Sequence, residues 1–254
     1  MDDTTRANFF EYLLRQGDDR LVLGHRLSEW CGHAPILEED IALANIALDL
    51  IGQANLLLQL AGETEGKGRD QDALAYFREA TAYRNALLAE LPNGDFGVTV
   101  MRVFFYSAFS TLLLEQLQKS SNETLAGIAA KAYKESRYHL RHSGEWVIRL
   151  GDGTDESHQR MQQALDALWR YTEELFQSDD VEQRLTSAGL AVDASMLREP
   201  WETMVREVLA TATLQIPAQS VAQRGGRAGR HTEHLGHMLS EMQILARSFP
   251  GAKW

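Results

Sequence analysis

Apolar residues recur along this chain at intervals of three and four, and no run alternates apolar with polar between turn residues. That periodicity is the mark of amphipathic helices rather than strands. It predicts helices over 5–16, 19–31, 38–61, 69–90, 96–119, 123–150, 156–176, 194–214 and 231–248, with a short helical piece near 180–188. The five prolines, Pro35, Pro92, Pro200, Pro217 and Pro250, read as breakers between periodic segments. Gly151 and Gly153 in "GDGTDES" can stop one helix, and Thr154 or Asp155 can cap the next. Several of these helices are long, which points to an all-α bundle of antiparallel helices.

Two helix faces carry polar groups where a simple bundle would place Leu or Ala. Counting by threes and fours from Ile128 gives Ile128, Ala132, Glu135, His139, His142 and Trp146, all on one narrow face. Its ends are apolar and its middle is Glu135, His139 and His142. On 38–61 the same count centres on Asp49, with Asn45 and Gln53 one turn to either side of it among Ala42, Ile46, Leu56 and Leu60. Burying such groups is costly unless they are paired, hydrogen-bonded or metal-bound.

Composition limits the chemistry. A net charge of -11 argues against a general nucleic-acid binder, because phosphate affinity needs clustered Lys and Arg. Cys31 is the single cysteine, so no intrachain disulfide or Cys zinc cluster can form, and a reducing cytoplasm is expected. Cys31, beside Trp30 and Gly32, reads as a small packing residue. The start "MDDTTRANFF" lacks the basic and apolar regions of a signal peptide. The apolar run from Ile41 is interrupted by Asn45, Asp49, Gln53, Asn55 and Gln59, which favours a bundle helix over a membrane span.

A di-iron carboxylate bundle uses two Glu-x-x-His pairs and further carboxylates. No Glu here has a His three places on. Asp155 and His158 have that spacing, but Asp155 sits at a helix start, where Asp is an N-cap by default. Asp49 is followed at the third place by Gly52, and Glu135 by Tyr138. Helix 96–119 offers only Glu115. Hydrogen-bonded structural pairs are the favoured reading, and a metal site from Asp49, Glu135, His139 and His142 is the alternative. His231, His234 and His237 recur in steps of three, which drift around a helix, so polar surface or interface histidines are expected. Arg224, Arg227 and Arg230 lie on the acid-free loop "QRGGRAGR", a candidate for binding an anion or a partner's carboxylates.

The stretches "RLSEWCGHAPILEEDIALANIALDLIGQA", "KESRYHLRHSGEWVIRLGDGTDES", "GRHTEHLGHMLSEMQ" and the ending "FPGAKW" resemble the C subunit family of the bacterial phenylacetyl-CoA epoxidase complex, over essentially the whole chain. The resemblance implies a single ferritin-like helical domain over 1–254, and a structural companion that has lost its metal ligands. It implies that the chain pairs with a catalytic A subunit that holds the di-iron centre, that the pairs assemble further, and that electrons come from NADPH through a separate reductase subunit. Asp49 with Gly52, and Glu135 with Tyr138, would then stand at the two lost Glu-x-x-His pairs.

Overall fold

The computed structural model describes residues 1–218 and 220–252. Among them every regular element is helical: α1 (Asp3–Ser28), α2 (Leu37–Glu65), α3 (Gln71–Tyr76), α4 (Leu87–Glu90), α5 (Phe96–Leu117), α6 (Glu123–Gly151), α7 (Asp155–Leu168), α8 (Asp180–Ser187), α9 (Arg198–Thr211) and α10 (Glu233–Ser248). Short 3-10 pieces lie at Ala80–Ala82, Trp169–Phe176, Ala194–Leu197 and Gly226–Ala228. Of the motif "FPGAKW", Lys253 and Trp254 lie outside the described residues.

The four longest helices, of 26, 29, 22 and 29 residues, are α1, α2, α5 and α6. α1 lies along α2, α5 lies along α6, and α2 meets α6. The architecture is a ferritin-like four-helix bundle with additional helices. α5 is apolar and buried on almost every side, because α4, α6, α7 and α9 all pack against it. Trp201 on α9 locks the later helices onto it. Its ring packs on Phe105 and Phe176 (centroids 5.7 and 5.2 Å), and its Nε1 donates to the Phe105 carbonyl oxygen at 3.0 Å. Helix starts follow local chemistry. Asp2, Asp95 and Asn122 each accept a backbone N–H, and Thr154 with Ser157 forms a capping box.

α2 and α5 are long and apolar enough to cross a membrane, but both are bundle helices. The most apolar window of α5 is 89% buried inside the chain, against 44% for α2, so of these two α2 keeps the exposed apolar face.

Four expectations are corrected. The break between 16 and 19 does not occur, and α1 runs unbroken through "QGDDR". Gly17 there lets α2 come close: a Cβ would stand 2.8 Å from Leu58 Cδ2. Asp18, in the expected break, and Asp19 beside it are fully buried and paired. The helix predicted over 69–90 is broken into α3, a 3-10 turn and α4. Its middle is pulled inward by Arg78, which pairs with Asp18, and by Tyr83, which donates to the Ala75 carbonyl oxygen. Pro200 interrupts nothing. It sits in the first turn of α9, where a missing N–H loses no intrahelical bond. Cys31 is exposed in the turn after α1 and is not a packing residue.

The chain reverses after α2 through a close backbone approach, in which a Cβ at Gly62 would overlap the Arg69 carbonyl oxygen. Gly62→Ala is expected to destabilise the fold by roughly 1–3 kcal/mol in urea unfolding. The matched control is Gly127→Ala, where nothing lies within 4 Å. It is expected to leave stability unchanged or to raise it. Equal midpoints for the two variants would contradict the close approach.

Candidate functional site at the centre of the bundle

The centre of the bundle holds a guanidinium. Arg20 of α1 is 1% exposed. Its Nε donates to Gln53 Oε1 on α2 at 3.0 Å, and one terminal nitrogen donates to the Gln16 carbonyl oxygen at 2.9 Å. The other donates to Ser110 Oγ on α5 at 3.3 Å. Gln53 carries the chain of bonds onward, donating from Nε2 to Glu135 Oε2 on α6 at 2.9 Å. All four long helices are therefore joined through one cation. Beside it the hydroxyls of Thr111 and Ser136 lie 3.0 Å apart and link α5 to α6.

A second layer lines the seam between α2 and α6. His139 Nε2 lies 3.0 Å from Asp49 Oδ2, and His142 Nε2 lies 2.9 Å from Glu39 Oε2. Positions 39, 49 and 53 thus face 142, 139 and 135 in turn, as in an antiparallel pair. The seam opens to solvent, because the Asp49 and Glu135 side chains are 38% and 22% exposed. The structure brings together Asp49, Glu135, His139 and His142, and gives each a hydrogen-bond partner. It places Gly52 and Tyr138 on the outside, with the Tyr138 ring stacked on His142.

These residues do not fit a di-iron centre. The places that would carry the two histidines, Gly52 and Tyr138, face outward. The centre already holds the fixed positive charge of Arg20, which would repel a divalent ion. Among the described residues, no three His, Cys, Asp or Glu side chains are grouped to hold a metal ion.

The arginine-rich loop is a strap more than an open site. The Arg227 side chain is 9% exposed and makes a two-pronged pair with Asp19 of α1, at 2.9 and 2.8 Å. Its pKa is raised above the ordinary arginine value: burial alone would lower it, but the Asp19 carboxylate outweighs that. Arg224 lies 3.3 Å from Glu173, and Arg230 is exposed. Glu174, itself buried, accepts from the backbone N–H groups of Gly225, Arg227 and Leu87. Of the three arginines, Arg227 is therefore already committed inside the chain. His231 is also drawn inward, which corrects the reading of surface histidines. Its Nδ1 lies 2.7 Å from Glu90 Oε2 and its Nε2 3.0 Å from the Tyr83 carbonyl oxygen. His231 precedes α10, so the three histidines do not share a helix.

The phenylacetic acid catabolic protein family matches over residues 1–254. The chain belongs to the phenylacetic acid catabolic protein family. A relative from Escherichia coli (strain K12), the C subunit of 1,2-phenylacetyl-CoA epoxidase, is 51% identical over 243 residues, covering 96% of this chain and 98% of that one. In this chain the polar centre is a cationic hydrogen-bond network. Arg20, Asp18, Asp19, Glu90 and Glu174 are buried charged residues outside the predicted set. The one signal for the first three was the unbroken helical spacing across "QGDDR", which the glycine and the two aspartates masked.

Two outcomes follow. Arg20→Ala strands Gln16, Gln53 and Ser110 and opens a cavity, so it is expected to lower stability by roughly 3–5 kcal/mol in urea unfolding. For His231, burial lowers the pKa, but the hydrogen bond and charge of Glu90 outweigh it and raise the group above its ordinary 6.5. A raised folded value contributes stability that is whole below 6.5 and is lost as pH rises through the folded value. The stability gap between wild type and His231→Gln, measured by unfolding across pH, is expected to shrink with rising pH.

Proposed function

We propose that this chain is the non-catalytic structural subunit of a multicomponent ring-epoxidising phenylacetyl-CoA monooxygenase in aerobic phenylacetate degradation. The observation that carries the reading is the 51% identity, over nearly the full length of both chains, to a protein named as the C subunit of 1,2-phenylacetyl-CoA epoxidase. The geometry supports the word non-catalytic, because Arg20 stands where a metal-binding bundle would gather carboxylates. Residues 1–254 serve as one ferritin-like unit. The catalytic di-iron centre belongs to an A subunit that pairs with this chain, A/C pairs assemble further, and NADPH supplies electrons through a separate reductase. The complex works in the cytoplasm. Asp49, Gly52, Glu135, Tyr138, His139 and His142 keep the positions of a lost metal site as hydrogen-bonding and surface residues.

An autonomous metal-binding oxygenase built on Glu135, His139, His142 and Asp49 is not favoured, because the four are already engaged in three helix-to-helix bonds, Glu135 with Gln53, His139 with Asp49 and His142 with Glu39.

The chain purified alone after expression with added iron is expected to carry iron far below stoichiometry by mass spectrometry, and not to oxidise phenylacetyl-CoA. Mixed with the other epoxidase subunits it is expected to restore turnover that those subunits lack without it. Stoichiometric iron that Glu135→Ala removes would overturn the reading.

A further inference from the structure

The outer surface of α2 and α6 has no explanation inside the chain. The outward stripe of α2 leaves Leu37, Ile41 and Leu48 exposed at 73, 54 and 66%. One turn beyond Leu48 on the same stripe is Gly52, exposed, with nothing within 4 Å of where its Cβ would stand. A glycine inside a helix weakens it relative to alanine, and no contact within the chain calls for one here. Across the seam stands Tyr138, 42% exposed. Beside it α6 presents Lys134, Arg137 and Arg141 to solvent, and among the described residues none of the three forms an ion pair. That is notable in a chain of net charge -11. The guanidinium of Arg137 lies over the Tyr133 ring and that of Arg141 over the Tyr138 ring, each 5.8 Å from the centroid. Stacked in this way, their N–H edges stay free to fork onto carboxylates.

We propose that the outer face of α2 and α6 is the surface on which this chain docks a partner protein, one that lays a helix over Leu48 and Tyr138, approaches closely at Gly52, and sets carboxylates against Lys134, Arg137 and Arg141. The proposal rests on the reading of this chain as a structural companion and names the face that reading requires. Charge complementarity selects a protein over a phosphate-rich surface. The same face carries Glu38 and Asp40 beside Leu37 and Ile41. These acids repel a uniformly anionic lipid or nucleic acid, whereas a protein can answer both signs within one interface.

The test uses the full chain and the other purified subunits of the epoxidase. Association is measured by biolayer interferometry, and thermal stability is measured in parallel. Gly52→Gln is expected to leave the melting temperature of the isolated chain equal or higher, while weakening association by about tenfold or more. The double variant Arg137→Glu with Arg141→Glu changes only exposed side chains. It is expected to weaken association as well, most strongly at low salt. Wild-type association in both variants would overturn the docking face and leave the proposed function intact. A wild-type chain that binds none of the other subunits would overturn the proposed function and the face with it. Binding to anionic vesicles or duplex DNA that the arginine variant loses, with association to the other subunits unchanged, would also overturn the proposal.

Discussion

The structure depends on three consecutive charges buried in the middle of one helix. Successive residues of α1 point 100° apart, so Asp18, Asp19 and Arg20 face three different parts of the molecule. Asp18 takes Arg78 and the Arg84 backbone N–H, and Asp19 takes Arg227 and the Ala86 backbone N–H. Arg20 turns into the bundle toward Gln53 and Ser110. A buried charge whose partner is removed is strongly destabilising, so each of these segments must be in place for α1 to sit where it does. Two stretches far apart in sequence, 78–90 and 225–232, are thereby tied to the same helix. Glu174 and Glu90 complete the tie by accepting backbone N–H groups from the second stretch. The irregular part of the fold is ordered by carboxylates rather than by apolar packing alone.

That dependence explains which features could be read in advance. The long helices α2, α5 and α6, and the stop and start around Thr154, follow from local periodicity and capping chemistry. Neither of these needs knowledge of the rest of the chain. The continuity of α1 does not follow from local chemistry. Gly, Asp and Asp in a row look like a turn, and only the approach of Leu58 and the arrival of Arg78 and Arg227 make the helical state preferable. The break in 69–90 has the same origin, seen from the other side. Arg78, Tyr83 and Asn85 lie in a stretch whose apolar pattern reads as helical, but their polar ends are claimed by Asp18, the Ala75 carbonyl and Glu90.

The central site was legible by residue type but less so by depth. Asp49, Glu135, His139 and His142 do meet across α2 and α6, yet Asp49 and Glu135 stand at the wet edge of the seam. The deepest line on α6 is Ala132, Ser136, His139, Ser143 and Val147. It is turned from the predicted stripe because Gly144 lets Phe104 approach to within 3.6 Å of where its Cβ would stand, and because Ser136 meets Thr111. Small hydroxyl residues in a core leave no mark in a hydrophobic pattern. Gln53 looked like a flank of Asp49, and in the structure it is the group that joins Arg20 to Glu135.

A guanidinium at the centre of a ferritin-like bundle weighs against metal chemistry in the interior. A divalent ion needs converging negative charge, and the bundle centre already holds a positive one whose donors are occupied by Gln16, Gln53 and Ser110. Apolar residues of similar volume could hold the same helices together about as well. What the polar centre adds is register. Arg20 can satisfy Gln53 and Ser110 together only at one relative height of α1, α2 and α5, and Gln53 reaches Glu135 only at one height of α6. A bundle fixed in this way presents the outer faces of α2 and α6 in a set relation to each other. The exposed stripe of Leu48 and Gly52 then lies at a defined offset from Tyr138 and Arg141. In a chain whose centre is held by a guanidinium, such a rigid exterior is where the proposed docking face lies.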